Sequence, residues 1–274
     1  DAYAFASPIS YHDAYGRAAI PGDGGGPRPP TPQPVSPLVP SPAPTPTGAQ
    51  RIEQCTPLPP VVLFMWQEMR TNAQSKTAQV ILFLNRTRKF AQALQQFPLM
   101  PTIPLKSTEV SATGEAYALW AWMVRQGGPW DPKPKIFKEF GASTCLPDGY
   151  CYYYDVWGNV MYGYIGTAVG FSESELFSGA GLEQIGSDIG YAIEFGDPSR
   201  LPHIRIPEAS GFAQFDHPHD RVGIQIGIEL WKRYQLDLTP EVLLQAITEK
   251  GEQLEREPAE RDLIPYNRAF GGER

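Results

Sequence analysis

The chain has 274 residues, with 30 acidic and 23 basic side chains, a net charge of −7 and 42% hydrophobic residues. That content, which includes 6 Trp, 13 Tyr and 13 Phe, can fill a sizeable core and excludes global disorder. The acidic balance argues against a broadly basic nucleic-acid surface, and the longest apolar run, Val61 to Trp66, is far too short to span a bilayer.

Residues 1–17, DAYAFASPISYHDAYGR, form an aromatic-rich alternating run that ends in a turn. The chain opens with Asp and without a charged-then-apolar leader, so it is expected to be a piece of a longer polypeptide. Residues 18–50 read as a Pro/Gly-rich linker. Of the 29 prolines, 11 lie between Pro21 and Pro46, a density that favours extended polyproline II. Residues 51–126 read as a helical region. Pro59 and Pro60 precede a helix from Val61, and apolar residues recur through Leu63, Trp66, Val80, Leu84 and Leu94. A break at Pro98, Pro101 and Pro104 is expected to lead into a helix over about 114–126, stopped by Gly127 and Gly128.

Residues 127–274 carry the chemistry. Trp130 to Lys135 reads as a Pro-stiffened loop. Tyr150 to Trp157 is aromatic and β-prone, and Gly158-Asn159 predicts a hairpin turn into a second strand, Val160 to Ile165. Ser172 and Glu175 have the spacing of a capping box, for a short helix that Gly179 would stop. Pro218 sits at a first helical position, and Val222, Ile226, Leu230 and Tyr234 carry that helix to about Gln235. Thr239-Pro240-Glu241 starts a last one. The expected fold class is α+β: a mainly helical domain with a small antiparallel β-hairpin or sheet, preceded by the Pro-rich linker.

Between Glu139 and Asp197 there are nine carboxylates and no Lys or Arg. Such a stretch repels a phosphate backbone but not a neutral glycan, on which aromatic rings stack. Glu173, beside Phe171, Leu176 and Phe177, is the first choice for a general acid, because an apolar setting would raise its pKa. Asp155 is the candidate base or nucleophile, since glycosidases commonly use two carboxylates. Tyr162, Trp157, Asn159, Gln184 and Lys133 are the candidate substrate-binding residues. Asp216, His217, His219 and Asp220 form an alternative cluster. With His203 and Arg221 they would suit a nuclease assisted by a divalent metal, although Asp216, His217 and Asp220 also suit a helix N-terminus. The glycosidase reading needs no cofactor. Cys145 and Cys151 flank a turn that would bring them together. A disulfide there favours an oxidising destination; two reduced cysteines suit a cytosolic one.

Two resemblances frame these candidates. Ser7-Pro8-Ile9-Ser10-Tyr11, followed by Asp13-Ala14-Tyr15-Gly16-Arg17, resembles the closing segment of an Rhs/YD-repeat core, which implies a variable toxin after it. Ser7, Ala14 and Arg17 depart from that family's pattern, in which the end of the segment is the cleavage point. Trp130-Asp131 with Lys133-Pro134, Asp155 with Asn159, Tyr162 to Gly166, Gly170 to Glu173, Gly179-Ala180-Gly181 with Gln184, and Asp216 with Asp220 resemble the type 44 polymorphic toxin domain. The resemblance continues through Ile224, Gly227, Leu230 and Trp231. It implies a secreted antibacterial effector, delivered into a target bacterium and paired with a cognate immunity protein and an Rhs shell. Peptidoglycan glycan strands in the periplasm are the expected substrate, nucleic acid in the cytosol the alternative, and no membrane insertion is expected.

Overall fold

The computed structural model describes residues 58–96 and 102–259. The 1–17 segment and the 18–50 linker lie outside them. The described residues are mainly helical with one small sheet, in the order α1 (Pro60–Ala73), α2 (Lys76–Leu94), α3 (Thr102–Val124), α4 (Lys133–Phe140), β1 (Ser143–Cys145), β2 (Tyr150–Tyr153), α5 (Tyr154–Ala168), α6 (Glu173–Phe195), α7 (Pro218–Tyr234), α8 (Pro240–Glu249) and β3 (Arg256–Pro258). The antiparallel sheet has the order β1-β2-β3, with Cys145 opposite Cys151. A disulfide joins that pair.

Helix starts follow local chemistry. Pro60 occupies the first turn of α1, Ser75 caps α2 by accepting from the Ala78 N–H at 3.1 Å, and Ser172 and Glu175 close a reciprocal capping box on α6. Pro218 and Thr239-Pro240 open α7 and α8 as their sequence signals predict. α3 begins at Thr102, well before the expected 114.

The largest correction concerns Tyr150 to Ile165. Only Tyr150–Tyr153 is strand; the chain turns helical at Tyr154, and Gly158-Asn159 lies inside α5 instead of in a hairpin turn. The apolar residues of α5 point all round the helix, because α1, α4 and α7 pack against it, so the run carries little helical periodicity. Its closest neighbour is α7. A Cβ on Gly163 would strike the Ile224 carbonyl, and one on Gly227 the Val160 carbonyl, so the two backbones approach as only glycine permits. Several residues that carry the toxin-domain resemblance thus build this crossing.

A second correction concerns α6, which runs through Gly179 to Phe195 and ends at Gly196 in the left-handed conformation, φ 60°. The Pro-stiffened segment is also shorter than expected, since α4 starts at Lys133. Residues 58–259 lie in one compact unit. α1 packs on α5 and α8, and Trp66 Nε1 donates to the Leu238 carbonyl at 2.6 Å.

Candidate active site

The first turns of α4, α5 and α7 meet at one end of the α5–α7 crossing. Asp131, buried just ahead of α4, accepts from the Gly127 N–H at 2.8 Å and from the Lys133 N–H at 3.0 Å, which fixes where α4 begins. Lys133 then lies across Gly158 of α5, where a Cβ would come within 2.6 Å of its stem. Its ammonium pairs with Asp155, in the first turn of α5, at 3.2 Å. One helical turn on, Asn159 Nδ2 donates to Asp220 Oδ1 of α7 at 2.8 Å. Gly223 makes room for that contact, since a Cβ there would lie 2.8 Å from the Asn159 Cβ. Asp216, one turn before Asp220, is buried. Its Oδ1 accepts from the His217 N–H at 2.9 Å, whereas its Oδ2 meets no donor.

Charge is unevenly matched here. Burial disfavours the Lys133 ammonium, but Asp155, Glu183, Asp131 and Asp220 outweigh it and raise its pKa above the usual range. Burial also drives Asp216 up to about 7, and the neighbouring charges of Asp220 and Glu183 add to the rise against the His217 N–H and Arg221. Asp220 is raised too, by burial first and by Asp155, against Lys133, His217 and the Asn159 bond. A pair of carboxyl groups four residues apart thus favours holding a proton, while Asp155 across from it pairs with a cation. With side chains of Lys133 and Asp155 respectively 39% and 24% exposed, this ion pair is open to solvent.

Tyr162 lines the same region from α5. Its hydroxyl donates to the Leu176 carbonyl at 3.1 Å and sits where a Cβ on Gly179 would fall, 2.7 Å away. Burial, with the charges of Asp216 and Glu183, raises its pKa far above the usual phenol. The ring packs on Trp120 with centroids 5.2 Å apart. Arg221 stacks over Phe177, 4.3 Å from the ring centroid.

The remaining candidates fall elsewhere. Glu173 is 42% exposed and ion-paired with Lys232 of α7, so the apolar setting expected for it is not formed. Trp157 is wholly buried and donates to Thr144 Oγ1 at 3.0 Å, a core position without a face for a ligand. Gln184 donates to Asp188, which also takes a two-pronged contact from Arg205, with bonds of 3.0 and 2.8 Å. The His219 ring is engaged by the Gln253 carbonyl at 2.9 Å, and His203 is exposed with its Nδ1 3.3 Å from the Leu201 carbonyl. Among the described residues no group of three or more His, Cys, Asp or Glu is arranged to hold a metal ion. Glu183, whose charge is felt by Lys133, Asp216 and Tyr162, is not singled out by the sequence. Its position in the stretch without Lys or Arg was the only signal, and eight other acids share it.

Residues 119–233, from the end of α3 through the last turn of α7, match the family model of bacterial toxin 44. Over that stretch the chain is similar to a polymorphic toxin domain, a likeness that points to a toxin effector delivered into target cells. No curated protein and no solved structure matches the chain. The matched stretch holds every member of the Lys133–Asp155–Asn159–Asp216–Asp220 site, while α1, α2, α8 and β3 complete the fold from outside it. No helix among the described residues is long and apolar enough to cross a membrane.

Proposed function

We propose that the toxin domain is a hydrolase that cleaves the glycan strands of peptidoglycan in the periplasm of a target bacterium. The observation that carries this reading is the facing of two unlike carboxyl groups. Asp155, paired with Lys133, stands across from Asp216 and Asp220, whose pKa values burial raises. In the reaction Asp220 gives its proton to the glycosidic oxygen as the bond to the anomeric carbon breaks. Asp155 attacks that carbon or takes a proton from the water that does, and Asp216 behind Asp220 favours the protonated form of the pair. The acid role thus moves from Glu173 to Asp220, and Asp155 keeps the role that the sequence suggests.

Three further features support the reading. Phe137, one turn after Lys133 and 43% exposed, meets Tyr154 edge-on with centroids 5.9 Å apart, which offers aromatic surface beside Asp155. The acidic surroundings disfavour phosphodiesters more than uncharged sugars. The Cys145–Cys151 disulfide suits an oxidising compartment.

The test uses the full chain on purified sacculi and, separately, on RNA and DNA. Soluble muropeptides should appear, and Asp155→Asn and Asp220→Asn should abolish them. Toxicity should require export to the periplasm. Intact sacculi with degraded nucleic acid would refute the proposal.

A further inference from the structure

We infer that Asn159 is a positioning residue for the acid: its amide aims the Asp220 carboxyl at the bond to be broken. This role rests on the hydrolase reading above, in which Asp220 is the acid. Asp155 and Asn159 are four residues apart on α5, so they share one face of that helix. One helix therefore carries the base and, a turn later, the group that reaches across to the acid. Asn159 Nδ2 donates to Asp220 Oδ1 at 2.8 Å. A neutral carboxyl carries its proton on one oxygen. With Oδ1 engaged as an acceptor, that proton is left to Oδ2, and the bond fixes the plane of the group. Once Oδ2 has given its proton to the glycosidic oxygen, Asp220 is a carboxylate, and the same N–H bond becomes charge-assisted.

Room for this bond is built into the helix crossing. A Cβ on Gly223, three residues after Asp220, would lie 2.8 Å from the Asn159 Cβ. The contact joins two helices instead of two loops, and helices hold a site more precisely. Asp216 offers the contrast. It is buried, its Oδ1 takes the N–H of the next residue, and its Oδ2 meets no donor. Asp220 is only half-buried and is held from the facing helix.

The charges that act on Asp220 come from Lys133 ahead of it on α4, Asp155 on α5 and His217 at the start of its own helix, with Asp216 one turn before it. Burial raises its pKa, whereas the Asn159 bond lowers it, because an N–H donor favours the carboxylate. Loss of the amide has two separable effects. The carboxyl loses its aim, which slows the reaction, and it keeps its proton to higher pH.

The test compares the full chain with Asn159→Leu, which is close in size and has no donor, on soluble glycan-strand fragments across pH. The variant's kcat should fall about 10²-fold while KM changes at most about twofold. The limb on which activity falls with rising pH should move to higher pH. Gly223→Ala, which crowds the Asn159 Cβ, should move the same limb with a smaller loss of rate. Carbon-13 NMR of the Asp220 carboxyl, without substrate, should show its midpoint raised in both variants. A higher KM at unchanged kcat would make Asn159 a substrate contact and overturn the inference. So would a lower rate and melting temperature with the limb unmoved, the result of a merely structural bond. An inactive parent chain would remove the hydrolase reading and this role together. An active parent whose Asn159→Leu variant keeps its rate and pH profile would overturn this role alone.

Discussion

Two clusters in this domain keep charge away from water, and they do it in opposite ways. Where α2, α3 and α6 meet, Arg88 is buried, and its charge is matched by a carboxylate. Its guanidinium pairs with Glu175 at 2.5 Å and donates to Asn85 at 2.7 Å, while Asn85 donates to the Val169 carbonyl at 2.8 Å. Glu175 also completes the capping box with Ser172 and accepts from Tyr117 at 2.8 Å. Burial opposes its ionisation, but the Ser172, Tyr117 and Arg88 bonds outweigh that and hold its pKa below the usual range. At the Asp155–Asp220 end, carboxyls outnumber cations and one buried oxygen of Asp216 lacks a donor. A compensated cluster stabilises a fold. An uncompensated one costs stability and persists where chemistry needs it.

The sharpest way to break this contrast is Asp220→Asn. It should reduce muropeptide release by about 10³-fold while leaving thermal stability unchanged or raised, because a like charge beside Asp216 is removed. Loss of activity together with a large loss of stability would make this cluster structural after all. Arg88→Met should do the reverse. It leaves the Glu175 carboxylate without its cation and should cost about 3 kcal/mol in urea unfolding, with the pH profile of activity unchanged. Asp216→Asn sharpens the comparison through pH. The native pKa of Asp216, about 7, lies above that of an unfolded Asp, so the unfolded chain releases this proton first. Its contribution is therefore fully present below about pH 4 and is lost as pH rises toward 7, on the order of 4 kcal/mol. Stability curves of the parent and of Asp216→Asn should diverge in that window, and parallel curves would contradict the raised pKa. The smallest effect belongs to Glu173→Gln. An exposed pair with Lys232 contributes no more than about 0.5 kcal/mol, and muropeptide release should survive the change.

Much of the site was legible as residue types but not as a place. Asp155, Asn159, Lys133 and Tyr162 stood out from one line of argument, and Asp216 and Asp220 from a rival one. The fold joins members of both into a single site, which no local pattern announces, because Asn159 and Asp220 lie 61 residues apart. Glu173 and Trp157 lie in settings that local sequence does not disclose. Apolar neighbours in sequence do not say which side of an element is covered: Glu173 faces Lys232 and solvent, whereas Trp157 faces inward to Thr144.

Signals that act within a few residues were reliable. Pro60, the Ser172–Glu175 box, Pro218 and Thr239-Pro240 mark helix starts whose hydrogen bonds are satisfied locally, so sequence alone located them. The toxin-domain motifs were equally open to reading. Only tertiary structure decided that the aromatic run after Tyr153 is a helix, that Gly179 continues α6 and that three first turns share one acidic site. Those outcomes depend on backbones meeting at Gly163 and Gly227, and on a hydroxyl and a lysine stem filling the space beside Gly179 and Gly158. Such contacts link residues far apart in the chain, and there packing outweighs local propensity.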